Sequence, residues 1–284
     1  MNGGNVQWKM AAGKDDGWHR TIMGAEGIGV TGMTMSLSNL CAIAAMAKAP
    51  RPGHVKTRLQ TILTPDEAAQ MGAAFLCDVT ANLAEAARHA PLHGYVAYAP
   101  AGQEARLEGL LAPGTRLVLA DGTGGGAPGV EGFGRSLLHA TRALLDMGYG
   151  AACVLNADSP TLPTARLVRA AERLLAPGCR AVLGPADDGG YWLLGMQSAE
   201  PSLYARIAWS TDGVAAATAA RAAEAGLPLE DLGTWFDVDD RDSLGRLLQP
   251  GAPGGDEPFA APATRRCMAL MRLAERLADP ILSA

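Results

Sequence analysis

Apolar residues follow two different periods along this chain. Leu40–Ala47 (LCAIAAMA) is a short unbroken apolar run closed by Lys48 and Pro50, the pattern of a strand buried on both faces. Comparable short runs recur at Tyr95–Ala99, Arg116–Ala120 and Ala151–Asn156. Between them the period lengthens to that of a helix. Thr64-Pro65-Asp66-Glu67 carries a helix start, with a capping Thr, Pro at the first position and Glu three residues after the cap. Ala68, Met71, Phe75, Val79, Leu83 and Ala86 then share one face. Leu137, Leu138, Thr141, Leu144 and Leu145 predict a second helix starting near Phe133, and 164–176 a third, stopped by Gly178. Arg180–Leu183 and Tyr191–Gly195 read as a strand pair around a Pro-Ala-Asp-Asp-Gly-Gly turn. Ser210 or Thr211 is expected to cap a helix running to Gly226. Trp235–Val238 reads as a short strand and Asp240–Gln249 as a short helix. A flexible stretch over 250–263 precedes a last amphipathic helix over 264–279, through Cys267, Leu270, Met271, Ala274 and Leu277.

Strands that alternate with helices imply a mostly parallel sheet covered on both faces. Ligands of such sheets bind where the strands end at their carboxyl termini. The chemistry is therefore expected just after strands, at 48–58, 157–160, 187–190 and 237–239. No repeat of 20–50 residues interrupts this plan.

Composition narrows the picture. The chain has 284 residues, 48% hydrophobic and 19% charged, enough for a sizeable core and unlike a disordered chain. The 35 glycines and 18 prolines follow no Gly-X-Y period and mark tight loops. A net charge of −5 argues against a nucleic-acid partner but leaves room for a small phosphorylated substrate held by a local basic loop. The five cysteines are widely spaced, without C-x-x-C, and predict neither a disulfide framework nor a zinc site. No apolar run reaches the roughly 18 residues of a membrane span. The first 34 residues hold eight glycines and balanced charges and lack the order of a signal peptide. They read as a poorly ordered leader, with Met33 and Met35 as alternative starts, and the protein is expected in the cytoplasm.

Three groups of residues carry candidate chemistry. Lys48, Arg51, His54, Lys56 and Arg58 form the densest cationic cluster, with Gly53 among them. A Gly-containing strand-to-helix loop of this kind holds a phosphate chain, or is simply solvated. Gly124–Gly129 formally matches G-x-G-x-x-G. Pro128 and further glycines break it, and no acidic strand end follows, so it reads as a mobile loop able to close over a ligand. The third group is acidic: Asp158, then Asp187 and Asp188 before two glycines, then Asp237 and Asp239. Carboxylates beside a basic loop suit a hard divalent cation shared with substrate phosphates. Turn roles for Asp187 and Asp188, and helix capping by Asp239 or Asp240, are the alternatives. The five histidines are scattered, and neither H-E-x-x-H nor G-x-S-x-G occurs. Trp192 and Trp209 read as core or pocket wall.

Five segments occur in a fixed order: Ala47–Leu59 (AKAPRPGHVKTRL), Asn156–Pro160, Leu183–Tyr191, Trp209-Ser-Thr-Asp212 and Phe236-Asp-Val-Asp239. Together they resemble the DUF2064 family, also called the selenodomain-associated transferase 1 family, of the GT-A-like nucleotide-diphospho-sugar transferase superfamily. The resemblance covers roughly 38–249. It implies a single GT-A-like (Rossmann-like) three-layer α/β/α sandwich with a mostly parallel mixed sheet over 36–249. A disordered leader (1–35) and a linker with the C-terminal helix (250–284) would flank it. By the same resemblance Lys48, Gly53, Lys56 and Arg58 would bind nucleotide, and Asp187, Asp188, Gly189 and Gly190 would face an acceptor. Asp158, Asp237 and Asp239 would hold Mg2+ or Mn2+, and Lys56, Asp158 and Asp188 would be catalytic. The superfamily has two chemistries. Sugar transfer from a nucleotide-sugar to a small acceptor stands first. Nucleotidyl transfer with pyrophosphate release is the alternative, favoured by Asn156 where Asp-x-Asp is common and by the Lys-x-Arg loop. A nicotinamide oxidoreductase using the glycine loop and a non-catalytic nucleotide sensor are the competing classes. The sequence leaves oligomeric state open.

Overall fold

A computed structural model describes residues 36–249 and 255–278. The expected leader, the chain's last six residues and residues 250–254 of the expected flexible stretch lie outside the described residues. From Leu37 onward the chain forms one unit. Its strands are β1 (Cys41–Ala47), β2 (Leu92–Tyr98), β3 (Arg116–Leu119), β4 (Ala151–Asn156), β5 (Ala181–Pro185), β6 (Tyr191–Met196) and β7 (Leu229–Asp231). They form a seven-stranded sheet in the order β3-β2-β1-β4-β6-β5-β7. β3, β2, β1 and β4 run parallel, β6 is antiparallel to β4 and β5, and β7 is parallel to β5. This is the mixed, mostly parallel sheet expected.

The helices are α1 (Pro65–Ala86), α2 (Glu104–Glu108), α3 (Phe133–Asp146), α4 (Thr164–Leu175), α5 (Val214–Glu224), α6 (Arg241–Arg246), α7 (Pro262–Leu270) and α8 (Leu273–Ala278). Strand alternation sorts the core into two halves. Cys41, Ile43 and Ala45 of β1, with Cys153 and Leu155 of β4, face α1 and α4. Ala42 and Ala44, with Ala152 and Val154, face α3 and Tyr204. Small residues on both faces of the central strands bring the helices close to the sheet. The start of α1 is as its sequence predicts. Glu67 N donates to Thr64 Oγ1 (3.3 Å) and Thr64 N donates to Glu67 Oε2 (2.8 Å).

Some expectations give way to tertiary contacts. Trp235–Val238 is not a strand; only Trp235 makes a bridge, to Ala186. The strand beside β5 is the polar Leu229–Asp231, an edge strand without the apolar pattern of a buried one. Neither Ser210 nor Thr211 caps α5. Gly213 stands at the cap position, while Thr211 Oγ1 donates to the Ala208 carbonyl (2.8 Å) and accepts from Gly213 N (3.4 Å). The predicted last helix is broken at Arg272, whose φ is +52°. Its first part packs along α1, where buried Asp78 accepts from Ala263 N (3.0 Å) and Thr264 N (2.6 Å). The described end of the flexible stretch is also tied down, by an Asp256–Arg166 ion pair of 2.8 Å.

The glycine-rich loop is neither a dinucleotide fingerprint nor a free strap. It lies flat on α3. Arg142 donates to the carbonyls of Gly124 (3.0 Å) and Gly126 (3.1 Å), and Asp121 Oδ1 sits 3.2 Å from His139 Nδ1. A Cβ at Gly125 would stand 1.8 Å from the Arg135 carbonyl oxygen, whereas one at Gly126 would meet nothing within 4 Å. Gly125→Ala should therefore destabilise the protein by about 1–3 kcal/mol, the usual range for overpacking. Gly126→Ala should change little, and urea unfolding of the two variants checks the contrast.

Candidate functional site

Four loops leave the carboxyl edge of the sheet, and backbone pairing draws three of them together. Val238 N donates to the Asp158 carbonyl (2.8 Å), and Ser159 Oγ to the Phe236 carbonyl (2.8 Å). On the other side Trp235 N donates to the Pro185 carbonyl (3.0 Å) and Asp187 N to the Trp235 carbonyl (3.0 Å). Segment 235–239 is thus threaded between the ends of β4 and β5. That threading delivers Asp237 and Asp239 between Asp158 and the Asp187–Asp188 turn.

The fourth loop follows β1. Leu59 is fully buried and anchors a 3-10 turn over Thr57–Thr61. Gly53 makes the tight turn with φ +76°, and His54 N closes it on the Arg51 carbonyl (3.0 Å). Lys56 adopts a left-handed backbone, φ +49°, uncommon for a side chain with a Cβ. Its Nζ donates to Asp239 Oδ1 (2.8 Å) and the Val238 carbonyl (2.7 Å) and forms an ion pair with Asp158 Oδ1 (2.7 Å). The Lys56 side chain is only 6% exposed, while Asp158 is 38% and Asp239 35% exposed. Arg58, largely in solvent, stands 3.8 Å from Asp239 Oδ2. Phe75 of α1 lies below the ammonium, 5.1 Å from Nζ to the ring centre.

A cleft of about 380 Å³ opens over this cluster. Lys48, Lys56, Arg58, His54, Asp158 and Asp239 line its charged part. Ala97, Ala99, Ala120 and the half-exposed Phe133 contribute an apolar part of the lining. The sequence pointed to Lys48, Lys56 and Arg58, and all three line the cleft. Gly53 shapes the loop but is not in the lining. The apolar part went unread, since alanines at strand ends look like any core residue. Ser136 and Thr57, also in the lining, were not among the expected site residues. The Val238 carbonyl was equally invisible, because a backbone acceptor has no sequence signature. Asn156 Oδ1, two residues before Asp158, is buried without a hydrogen-bond partner.

The acidic residues sort themselves. Asp158 and Asp239 meet on Lys56. Asp240 caps α6, accepting from Ser243 N (2.8 Å), so the capping alternative holds for it. Asp188 Oδ1 accepts from Gly190 N (2.8 Å), a turn role, yet its side chain stays exposed. Asp187 pairs with Arg246, which lies over the Phe236 ring at 3.9 Å. Gly189 is held by close backbone approach, since a Cβ there would stand 1.9 Å from the Asp212 carbonyl oxygen. Asp237 stands off from the Lys56 cluster. Among the described residues no three His, Cys, Asp or Glu side chains gather closely enough to form a metal cage. Two carboxylates with exposed oxygens at a cleft floor nevertheless fit a hard cation that completes its shell with phosphate and water.

The charges are strained by this crowding. Burial works against the Lys56 ammonium, but Asp158 and Asp239 outweigh it and hold its pKa above normal. Burial, reinforced by Asp239 and opposed by Lys56, raises the Asp158 carboxyl. Burial and then the charges of Asp188, Asp239 and Asp158 push Asp237 up to about 7.

The mixed sheet and its flanking helices define a class, the proteins of GT-A-like fold. Within that class, the DUF2064 family, described as an uncharacterized protein conserved in bacteria, is the one whose family model the chain matches, over residues 82–211. Among solved structures, a protein from Desulfovibrio desulfuricans G20, described provisionally as a nucleotide-diphospho-sugar transferase, is 27% identical. Its alignment covers 84% of this chain and 98% of that one, with a TM-score of 0.68. Glucosyl-3-phosphoglycerate synthase from Mycobacterium tuberculosis, in complex with Mn2+, uridine diphosphate and phosphoglyceric acid, is 11% identical, with 84% and 78% coverage and a TM-score of 0.43. A 4-diphosphocytidyl-2C-methyl-D-erythritol synthase from Anaerococcus prevotii DSM 20548 is 9% identical, with 74% and 96% coverage and a TM-score of 0.44. The last two superpositions are too loose to bear on the reaction. No curated protein matches the sequence. Among the described residues no helix is long and apolar enough to cross a membrane.

The raised Asp237 carboxyl has a consequence for stability. A carboxyl that holds its proton to about pH 7 when folded, against 3.8 ordinarily, imposes no cost at low pH. The cost grows as pH rises from 3.8 to about 7 and is complete above it. Asp237→Asn removes it. In chelator-treated protein the variant should melt a few degrees above wild type at pH 8, with the gap closing by pH 4. A gap independent of pH would contradict the assignment.

Proposed function

We propose that this protein is a divalent-metal-dependent transferase that moves a sugar from a nucleotide-diphospho-sugar to a small hydroxylated acceptor. The observation that carries the reading is the Lys56–Asp158–Asp239 cluster at the strand ends, under a cleft whose lining is part cationic and part apolar. Lys48, Lys56 and Arg58 face the phosphates, and Gly53 lets their loop turn. The apolar part suits a flat base. Asp158 and Asp239 hold the cation, with Asp237 as a further ligand. A bound Mg2+ or Mn2+ would neutralise charge on a diphosphate leaving group. Asp187, Asp188, Gly189 and Gly190 form the acceptor side. In the transfer the acceptor oxygen bonds to the anomeric carbon and the bond from that carbon to the diphosphate breaks. The nucleoside diphosphate leaves, and the acceptor proton passes to Asp188.

Nucleotidyl transfer is the second reading. It is favoured by Asn156, an uncharged residue two positions before Asp158. Product analysis separates the two. Sugar transfer releases a nucleoside diphosphate only with acceptor present, whereas nucleotidyl transfer releases pyrophosphate from a nucleoside triphosphate. Binding is tested by melting the protein with a panel of nucleotides and nucleotide-sugars, with and without Mn2+. A ligand at 100 times its Kd should stabilise the fold by about 2.7 kcal/mol. Asp158→Ala should abolish the Mn2+-dependent part of that shift. A variant that responds like wild type would remove Asp158 from the metal site.

A further inference from the structure

Lys56 is placed unlike an ordinary phosphate ligand. An ammonium has three N–H donors. The structure supplies three acceptors, Asp158 Oδ1 at 2.7 Å, Asp239 Oδ1 at 2.8 Å and the Val238 carbonyl at 2.7 Å. Two hydrogen bonds and an ion pair thus engage the ammonium within the protein rather than toward a nucleotide. The side chain is also shielded, 6% exposed and seated over Phe75. Yet Lys56 lines the cleft, on the loop that carries Lys48 and Arg58. Its φ of +49° is a conformation that a lysine holds only under outside constraint.

The position of Nζ matters as much as its engagement. It touches one oxygen each of Asp158 and Asp239, the two carboxylates that meet at the cleft floor. A divalent ion held by those two carboxylates would compete with the ammonium for them. Two cations at contact distance repel strongly in such a partly buried place. Without a cation, Asp158 and Asp239 would in turn repel each other across the gap.

We propose that Lys56 is a built-in stand-in for the divalent cation. Without metal, its ammonium holds Asp158 and Asp239 at bridging distance and keeps the site assembled. When metal enters, the ammonium is turned out of the carboxylate pair into the cleft, where its freed donors meet the substrate phosphates. Metal and nucleotide then favour the same position of Lys56, so each tightens the binding of the other. This inference rests on the metal-dependent reading above and specifies how that site is switched on.

The test uses the full chain and Mn2+ alone, with no nucleotide. Free Mn2+ is titrated by its paramagnetic resonance signal for wild type, K56Q and K56R. Acetylation of Lys56 relative to exposed Lys48 is followed by mass spectrometry in the wild type, with and without Mn2+. K56Q removes the competing charge and should bind Mn2+ at least about tenfold more tightly than wild type. K56R keeps the charge and should stay as weak as wild type. Saturating Mn2+ should raise the acetylation of Lys56 severalfold while leaving Lys48 unchanged. Equal or weaker Mn2+ affinity in K56Q would overturn the proposal. So would a Lys56 that stays shielded in Mn2+-saturated wild type, a readout that needs no variant to fold. Either result, with Mn2+ still bound, leaves the metal-dependent reading standing. Absence of Mn2+ binding in all three proteins would overturn that reading and this inference together.

Discussion

One buried ammonium organises the edge of this sheet. Lys56 joins the loop after β1, the end of β4 and segment 235–239, elements drawn from widely separated parts of the chain. Its contact with the Val238 carbonyl is as short as its contact with Asp158, so it reads backbone position as well as charge. The arrangement needs segment 235–239 to be held, and a second buried cation holds it. Arg166 of α4 donates to the carbonyls of Gly233 (3.1 Å) and Thr234 (2.7 Å) and lies over the Trp235 ring. Trp192 of β6 adds an indole N–H to the Gly233 carbonyl (3.0 Å). Polar groups on irregular backbone are thereby satisfied where no strand ladder exists to do so.

The C-terminal helices extend the same logic to the basic loop. Arg276 of α8 pairs with Glu67 at 2.8 Å and also bonds the Ile62 carbonyl. Glu67 is itself half of the box that starts α1. The stretch between the cationic loop and α1 is therefore clamped from both sides. What remains exposed is the tip that carries Lys48 and Arg58, the part that faces the phosphates in the proposed function. A rigid base with a solvent-facing cationic tip suits a site that must bind and release a charged ligand.

Much of this was legible in the chain. The alternation of apolar runs and helical stripes predicted β1, β4, α1, α3 and α4 within a few residues. The strand-end rule led to Lys48, Lys56, Arg58, Asp158 and Asp239 before any contact was known. The misses share a cause. β7 carries Glu230 and Asp231 and pairs only by its backbone, so hydropathy gave no sign of it. Trp235–Val238 looked like a strand because its large residues are buried, but they are buried as a threaded loop. The glycines at 124 and 125 promised mobility, whereas their lack of Cβ atoms serves close packing on α3.

The sequence by itself determined the layered sandwich, the edge where chemistry belongs and the residue types present there. Those follow from periodicity and from charge placed after strands, which are local properties. Only the tertiary structure decided which carboxylates share a cation. Asp158 and Asp239 lie far apart along the chain, and Asp237, two residues from Asp239, is excluded from the pair. Period-two alternation would turn Asp237 and Asp239 to the same side, so their different placement comes from the irregular, threaded backbone of 235–239, which the hydrogen bond from Val238 N to the Asp158 carbonyl fixes beside Lys56. That register is a long-range fact, fixed by packing, and no pattern along the chain encodes it.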